Sequence, residues 1–130
     1  MFAALYTSLE LKIQKVMKLL SEINANFLFS TDNGAMNMHP HPPGYNGYLE
    51  MKRWDDAGVP LNQVFKAATY NNAKAFDLLA SIGTISSSKT ANILILNSNP
   101  LDTIGAYDDI EFVIINGKLM KRAELSANSH

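Results

Sequence analysis

Three consecutive apolar residues, Phe27-Leu28-Phe29, bound what this chain can fold into, because of what stands on either side of them. Ahead of them Leu5, Leu9, Ile13, Val16, Leu20 and Ile23 recur every three or four residues, with Lys12, Lys15, Lys18 and Glu22 between. That spacing puts one apolar stripe on a helix, predicted over residues 4–23 and stopped by Asn24-Ala25-Asn26. The run itself is too short for a helix and has no polar interruption, which predicts a strand buried on both faces. A helix that turns directly into such a strand is half of a parallel βα repeat.

The next segment cannot continue the repeat at once. Residues 33–46 contain Gly34, Pro40, Pro42, Pro43 and Gly44, and prolines at that density remove the donors that a helix or a central strand needs. A long irregular loop leaving the end of a buried strand is a common way to shape a binding mouth. Tyr48 to Ala57 is predicted helical and closed by Gly58, and Pro60 opens a second helix through Leu61, Val64, Phe65 and Ala68. A third short helix is expected at about Asn72 to Leu79. After Gly83 the pattern becomes β-rich: Ala91 to Leu96 (ANILIL), Phe112 to Ile115 (FVII), then the hairpin signal Asn116-Gly117 and a return strand Lys118 to Lys121. The chain is thus expected to form two modules, with a boundary near residues 80–90 and no internal repeat.

Composition narrows the function classes. At 130 residues with 47% apolar and 18% charged side chains, the chain is of single-domain length and has the balance of a globular protein. Eleven basic against twelve acidic residues leave a net charge of -1 with no like-charge block, so neither nucleic acid nor an anionic membrane is an expected partner. With no cysteine, any metal must be held by His, Asp, Glu or a modified lysine, and a cytoplasmic location is expected. No stretch of roughly 18 apolar residues and no basic leader ahead of an apolar run occurs, so neither a membrane span nor a signal peptide is expected.

The order of these segments resembles the C-terminal part of metal-dependent amidohydrolases, in particular their imidazolonepropionase-like branch. The resemblance is carried by a strand ending in Thr31-Asp32, a Pro/Gly loop, DAGVPLNQVFKAATYNNAKAF with Ala57-Gly58-Val59-Pro60, Ala67-Ala68-Thr69 and Asn72-Ala73, then GTISSSKTANILILNSNPL and IEFVIINGKLMKR. The family continuation G-x-I-x-x-G-K-x-A-D, apolar strand, P-L is met by Gly83, Ile85, Lys89, Ala91, the strand through Leu96, and Pro100-Leu101. Ser88 stands where a turn glycine is usual and Asn92 where an aspartate is usual. Such proteins are (β/α)8 barrels with a small β-sandwich built from both chain ends. The resemblance implies an α/β fold made of the C-terminal part of a TIM barrel, residues 1–80, plus C-terminal sandwich strands, residues 81–122, and a disordered tail, residues 123–130. Most of the barrel is outside the chain.

It also implies chemistry. Hydrolysis of an amide or amidine at neutral pH requires an activated water and a proton for the leaving nitrogen; a divalent metal, here zinc by resemblance, and a carboxylate can supply them. Asp32 matches the position whose aspartate shuttles the proton and touches the metal in that family, while D-N-G is also good turn chemistry. His39 and His41 form a His-x-His pair in a proline-rich loop, placed after the aspartate instead of on the first strand; they are candidates for a metal site, for the substrate rim or simply for a solvated loop. Tyr45, Asn46 and Tyr48 are candidates for substrate contact or for packing the loop down, Glu50 for favouring a helix N-terminus, and Trp54 for covering the core. The expected function is part of a hydrolase of carbon–nitrogen bonds other than ordinary peptide bonds (cyclic amide, amidine or dipeptide), inactive as this chain alone. Its expected partners are a small-molecule substrate and either the missing N-terminal part or a second copy. The alternative is a non-catalytic module that self-associates through its exposed barrel strand.

Overall fold

A computed structural model describes residues 2–31 and 45–125. The chain divides into two compact units, residues 1–68 and 69–130.

In the first unit the helical stripe becomes α1, Phe2–Glu22. It ends where asparagine was expected to end it: Asn24 adopts the left-handed conformation (φ 53°), with its N–H bonded to the Ser21 carbonyl at 3.0 Å and that of Ala25 to Leu20 at 2.9 Å. These two bonds close the last helical carbonyls, and Asn tolerates the left-handed well better than most residues. Helix α2, Asn46–Asp56, ends the same way on Gly58 (φ 80°), whose N–H meets Asp55 at 2.8 Å while Val59 meets Trp54 at 3.0 Å. Pro60 then precedes α3, Leu61–Lys66, which runs on into a π-helical turn, Ala67–Asn71.

The core of this unit is small. Trp54, Val59, Val64 and Ala67 are buried, and Met17, Phe27, Phe29 and Met51 pack against them. Two sequence expectations fail here. The α1 stripe is exposed, with Leu9 at 57%, Ile13 and Val16 at 54% and Ile23 at 74%. Among its described side chains, α1 turns inward Gln14, Met17 and Ser21, a line roughly 120° around the helix from the stripe at about 3.6 residues per turn. The second failure is Phe27 to Phe29, expected as a strand buried on both faces: Phe27 and Phe29 are half-buried while Leu28 between them is 46% exposed. Both have one cause: an apolar face needs a surface to pack on, and the described residues of this unit cover one side of the helix and one side of the segment.

The second unit contains α4, Asn72–Ala75, closed by Asp77 in the left-handed conformation (φ 57°). Beyond it a three-stranded antiparallel sheet runs in the order β1 (Ile93–Leu96), β2 (Ile110–Ile115), β3 (Lys118–Lys121). The predicted hairpin is present: Ile115 pairs with Lys118 across Asn116 and Gly117, both at positive φ (51° and 80°), as a two-residue type I′ turn requires. Asn92 ties this turn to β1, its Oδ1 accepting the Asn116 N–H at 2.8 Å, and the Gly117 N–H reaches the Ala91 carbonyl at 3.0 Å. An aspartate would offer the same acceptor, so the departure from the family pattern at this position keeps its function. Ser88, at φ 68°, occupies a left-handed turn position, so the structure keeps the glycine-type conformation without the glycine.

Lys89 is more than a surface-turn residue. Its Nζ donates to the Leu79 carbonyl, to the Ile82 carbonyl at 3.3 Å and to Thr84 Oγ1 at 2.7 Å, gathering the chain between α4 and the sheet. A compact ammonium with three rotatable donors suits three separate acceptors.

Candidate functional site

The segment that leads to Asp32 is anchored by aromatic packing. From Ala25 to Thr31 burial alternates residue by residue, the signature of extended chain with one covered face. The cover is Trp54 of α2: its ring centroid lies 5.3 Å from that of Phe27 at 57° and 5.5 Å from that of Phe29 at 64°. Both are the tilted, edge-on arrangements that aromatic quadrupoles favour. The indole is itself fixed, because Nε1–H donates to Glu50 Oε1 at 2.9 Å, one helical turn earlier. Glu50 also accepts from Arg53 at 3.4 Å. Glu50 therefore does not serve the helix N-terminus as expected: α2 begins four residues before it, and its carboxylate is engaged with Trp54 and Arg53.

The expected site residues have different fates. Asp32, His39 and His41 lie outside the described residues. Tyr45 is 45% exposed just before α2, with its ring 5.3 Å from that of Tyr48. Asn46 is only 6% exposed, and among the described residues its buried Oδ1 has no hydrogen-bond partner. An acceptor left alone in a buried position is costly, so the first residue of α2 holds an unused hydrogen-bonding group directly after the Pro/Gly loop. Beside this arrangement a groove of about 410 Å³ runs between α1 and α2, lined among others by Leu9, Ile13, Met17, Arg53 and Trp54.

Among the described residues no three His, Asp or Glu side chains come together to hold a metal ion, whereas a catalytic zinc takes three protein ligands plus water. The described residues alone therefore do not fit a metal centre. Likewise, among them no helix is long and apolar enough to cross a membrane. The Trp54–Glu50 link was not legible beforehand. The i, i+4 spacing of the two residues was the available signal, but carboxylate–indole bonds share that spacing with many unrelated pairs.

Comparison with known proteins bears on the family. Among solved structures the fold is similar to a Xaa-Pro dipeptidase with methionine bound in its active site, at a TM-score of 0.70 and 25% identity over 84% of this chain and 25% of that one. It is also similar to molinate hydrolase, at 0.61 and 22% identity over 72% of this chain and 20% of that one. A third likeness is to an amidohydrolase from Thermotoga maritima, at 0.53 and 19% identity over 85% and 35% of the two chains. No curated protein matches the sequence. The chain thus spans about a quarter of the length of the first two structures. The model of the amidohydrolase family matches residues 4–120, nearly the whole sequence, and the chain belongs to that family.

Proposed function

We propose that this chain is the C-terminal share of a hydrolase that cleaves carbon–nitrogen bonds other than internal peptide bonds, with dipeptides, cyclic amides or amidines as the substrate class. Family membership over residues 4–120 carries the reading. In it, residues 1–80 form the end of the barrel and residues 81–122 the C-terminal sandwich strands, in a cytoplasmic protein. The exposed α1 stripe supports it, since large apolar side chains in a row are covered by something in a working protein. The dipeptidase among the similar structures supports the dipeptide class.

Within that enzyme, this chain supplies positioning and proton handling. Phe27 and Phe29 seat the strand on Trp54, and Asp32, three residues beyond Phe29, takes a proton from the attacking water and returns it to the leaving nitrogen. Asn46, His39, His41 and Tyr45 come next in the same part of the chain and contact substrate. A divalent metal, zinc by family habit, would polarise the scissile carbon when bound; Asp32 would be one of its ligands, and the others would come from outside this chain.

The test is to co-express the chain with a polypeptide carrying the preceding barrel strands of the same family, and to assay Xaa-Pro dipeptides and cyclic amides. Turnover should appear only in the assembled form, and Asp32→Asn should lower kcat by about 10²-fold or more. Turnover by the Asp32→Asn assembly equal to that of the parent would sink the assignment. The exposed stripe also favours a second reading, a non-catalytic module that pairs with its own copy. Light scattering separates the two: a dimer that persists beside the added barrel strands, with no turnover, supports the module.

A further inference from the structure

We propose that the outer edge of β1 docks a second copy of this chain, whose own β1 adds antiparallel to make one continuous six-stranded sheet. Among the described residues the sheet order β1-β2-β3 leaves two edges, and their side chains differ. β3 carries Lys118 and Lys121 at its two ends, and lysines on an edge are a usual guard against a further strand. β1 has no such guard: residues 90–96, TANILIL, contain no charge and no proline. The charge just before them, on Lys89, is turned to the Leu79 and Ile82 carbonyls and to Thr84. The irregularity of the sheet also spares this edge. Ile95 pairs with Phe112 and Leu96 with Ile110, which puts the extra residue, Glu111, on β2.

Space for the added strand lies beside it. A groove of about 600 Å³ is lined by residues 90–94 on one wall and by residues 82–86 on the other. Successive side chains of an extended chain point to opposite faces, so a groove touched by every residue of that stretch runs along the edge rather than over one face. Leu94 and Ile95, on opposite faces of β1, are both exposed, and Ile85 across the groove is 84% exposed. A paired strand covers apolar side chains on both faces at once.

The charges favour a second copy as the occupant. A two-fold contact sets each edge against itself: at β3 it would crowd the lysines of the two copies together, whereas at β1 it brings only uncharged side chains together. The same contrast stops assembly at two copies, because the β3 edges left outside are the guarded ones. A two-fold axis normal to the sheet keeps each face on its own side. Within the four residues of β1, Leu94 therefore meets the partner's Leu94 or the partner's Leu96, and Ile95 meets the partner's Ile95 or the partner's Ile93.

The experiment is sedimentation equilibrium of the full chain between about 10 µM and 1 mM, where a small interface associates, with hydrogen exchange at the β1 amides. The parent should pass from monomer to dimer, and the alternate β1 amides that point away from β2 should exchange about tenfold more slowly at the high end. Leu94→Lys should hold the chain monomeric, because two copies would set like charges within about 8 Å on one face. Leu94→Glu should do the same, and an equimolar mixture of the two should dimerise again, which also shows that both variants fold. Val16→Lys on the exposed α1 stripe is the control and should leave the dimer intact. A monomer at every concentration overturns the proposal, even where an added extended peptide protects the β1 amides, since the edge would then serve another chain. A mixture that stays monomeric while circular dichroism shows both variants folded also overturns it. So does a dimer abolished by Val16→Lys and kept by Leu94→Lys, which would put the contact on α1.

Discussion

Gly83 offers the sharpest quantitative test of the second unit. A methyl group added there would lie 2.5 Å from Cβ of Ala73, 3.3 Å from the Thr69 carbonyl oxygen and 3.4 Å from Leu79 Cδ1. Carbon atoms settle at about 3.5–4.0 Å, so Gly83→Ala demands a displacement of roughly 1 Å between buried atoms, since Ala73 is 3% exposed. Overpacking of this kind costs about 1–3 kcal/mol. The backbone adds to it: φ is +89°, where a side chain costs roughly 1–2 kcal/mol. Against both stands the lower entropy of an unfolded alanine, worth about 0.4–1 kcal/mol. The net is a destabilisation of roughly 2–4 kcal/mol, or about 10–25 °C in Tm for a unit of this size. Urea unfolding by circular dichroism, with hydrogen exchange at the β2 amides, measures it. The control is Gly47→Ala in α2, where nothing lies within 4 Å of the added carbon; there the expected change is a gain of about 0.5–1 kcal/mol from helix propensity. A Gly83→Ala protein within about 0.5 kcal/mol of the parent would refute the steric argument, because it would mean that Ala73 and its helix yield freely.

The sheet unit yields three more expected outcomes. Ser88→Gly should raise its stability by about 0.5–1 kcal/mol in chemical denaturation, because the left-handed φ of 68° is relieved at some cost in unfolded-state entropy. Asn92→Ala, which leaves the Asn116 N–H without its acceptor, should lose about 1–2 kcal/mol, whereas Asn92→Asp should be nearly neutral by the same measurement. Tyr107 is partly buried, and desolvation pushes its phenol from 10.0 up to about 12. The raised value means that its contribution is complete below pH 10 and is lost as pH rises through 12, since only the unfolded chain ionises readily in that window. The partial exposure screens the effect to about 1 kcal/mol. An ultraviolet tyrosinate titration should show one of the five tyrosines ionising late, and Tyr107→Phe should remove that step.

Much of the local structure was readable because it depends on neighbours in sequence. Asn24, Gly58 and the Asn116-Gly117 pair each take the conformation that their side chains make cheap, and each stands where a stop or a turn was expected. The helical period of α1 was likewise correct. The candidate site was less legible. Asn46 was named for substrate contact, but its burial with an unused oxygen has no signal in the sequence, and the seat of Phe27 and Phe29 on Trp54 spans more than twenty residues. Lys89 shows the same limit: a lysine in a serine-rich turn reads as solvated until its three acceptors are assembled around it.

The amino-acid sequence by itself determined the helical period of α1, the residues that stop α1 and α2 and turn the hairpin, and the family to which the whole belongs, since these depend on backbone preferences within a few residues and on the order of short motifs. Only the tertiary structure decided which faces are covered. It left the α1 stripe open and turned Gln14, Met17 and Ser21 inward, and it gave Phe27 and Phe29 one aromatic support in place of two strands. The physical reason is that amphipathicity declares a side chain's need for burial, whereas burial itself requires a surface to bury against. For the α1 stripe, the described residues do not contain one.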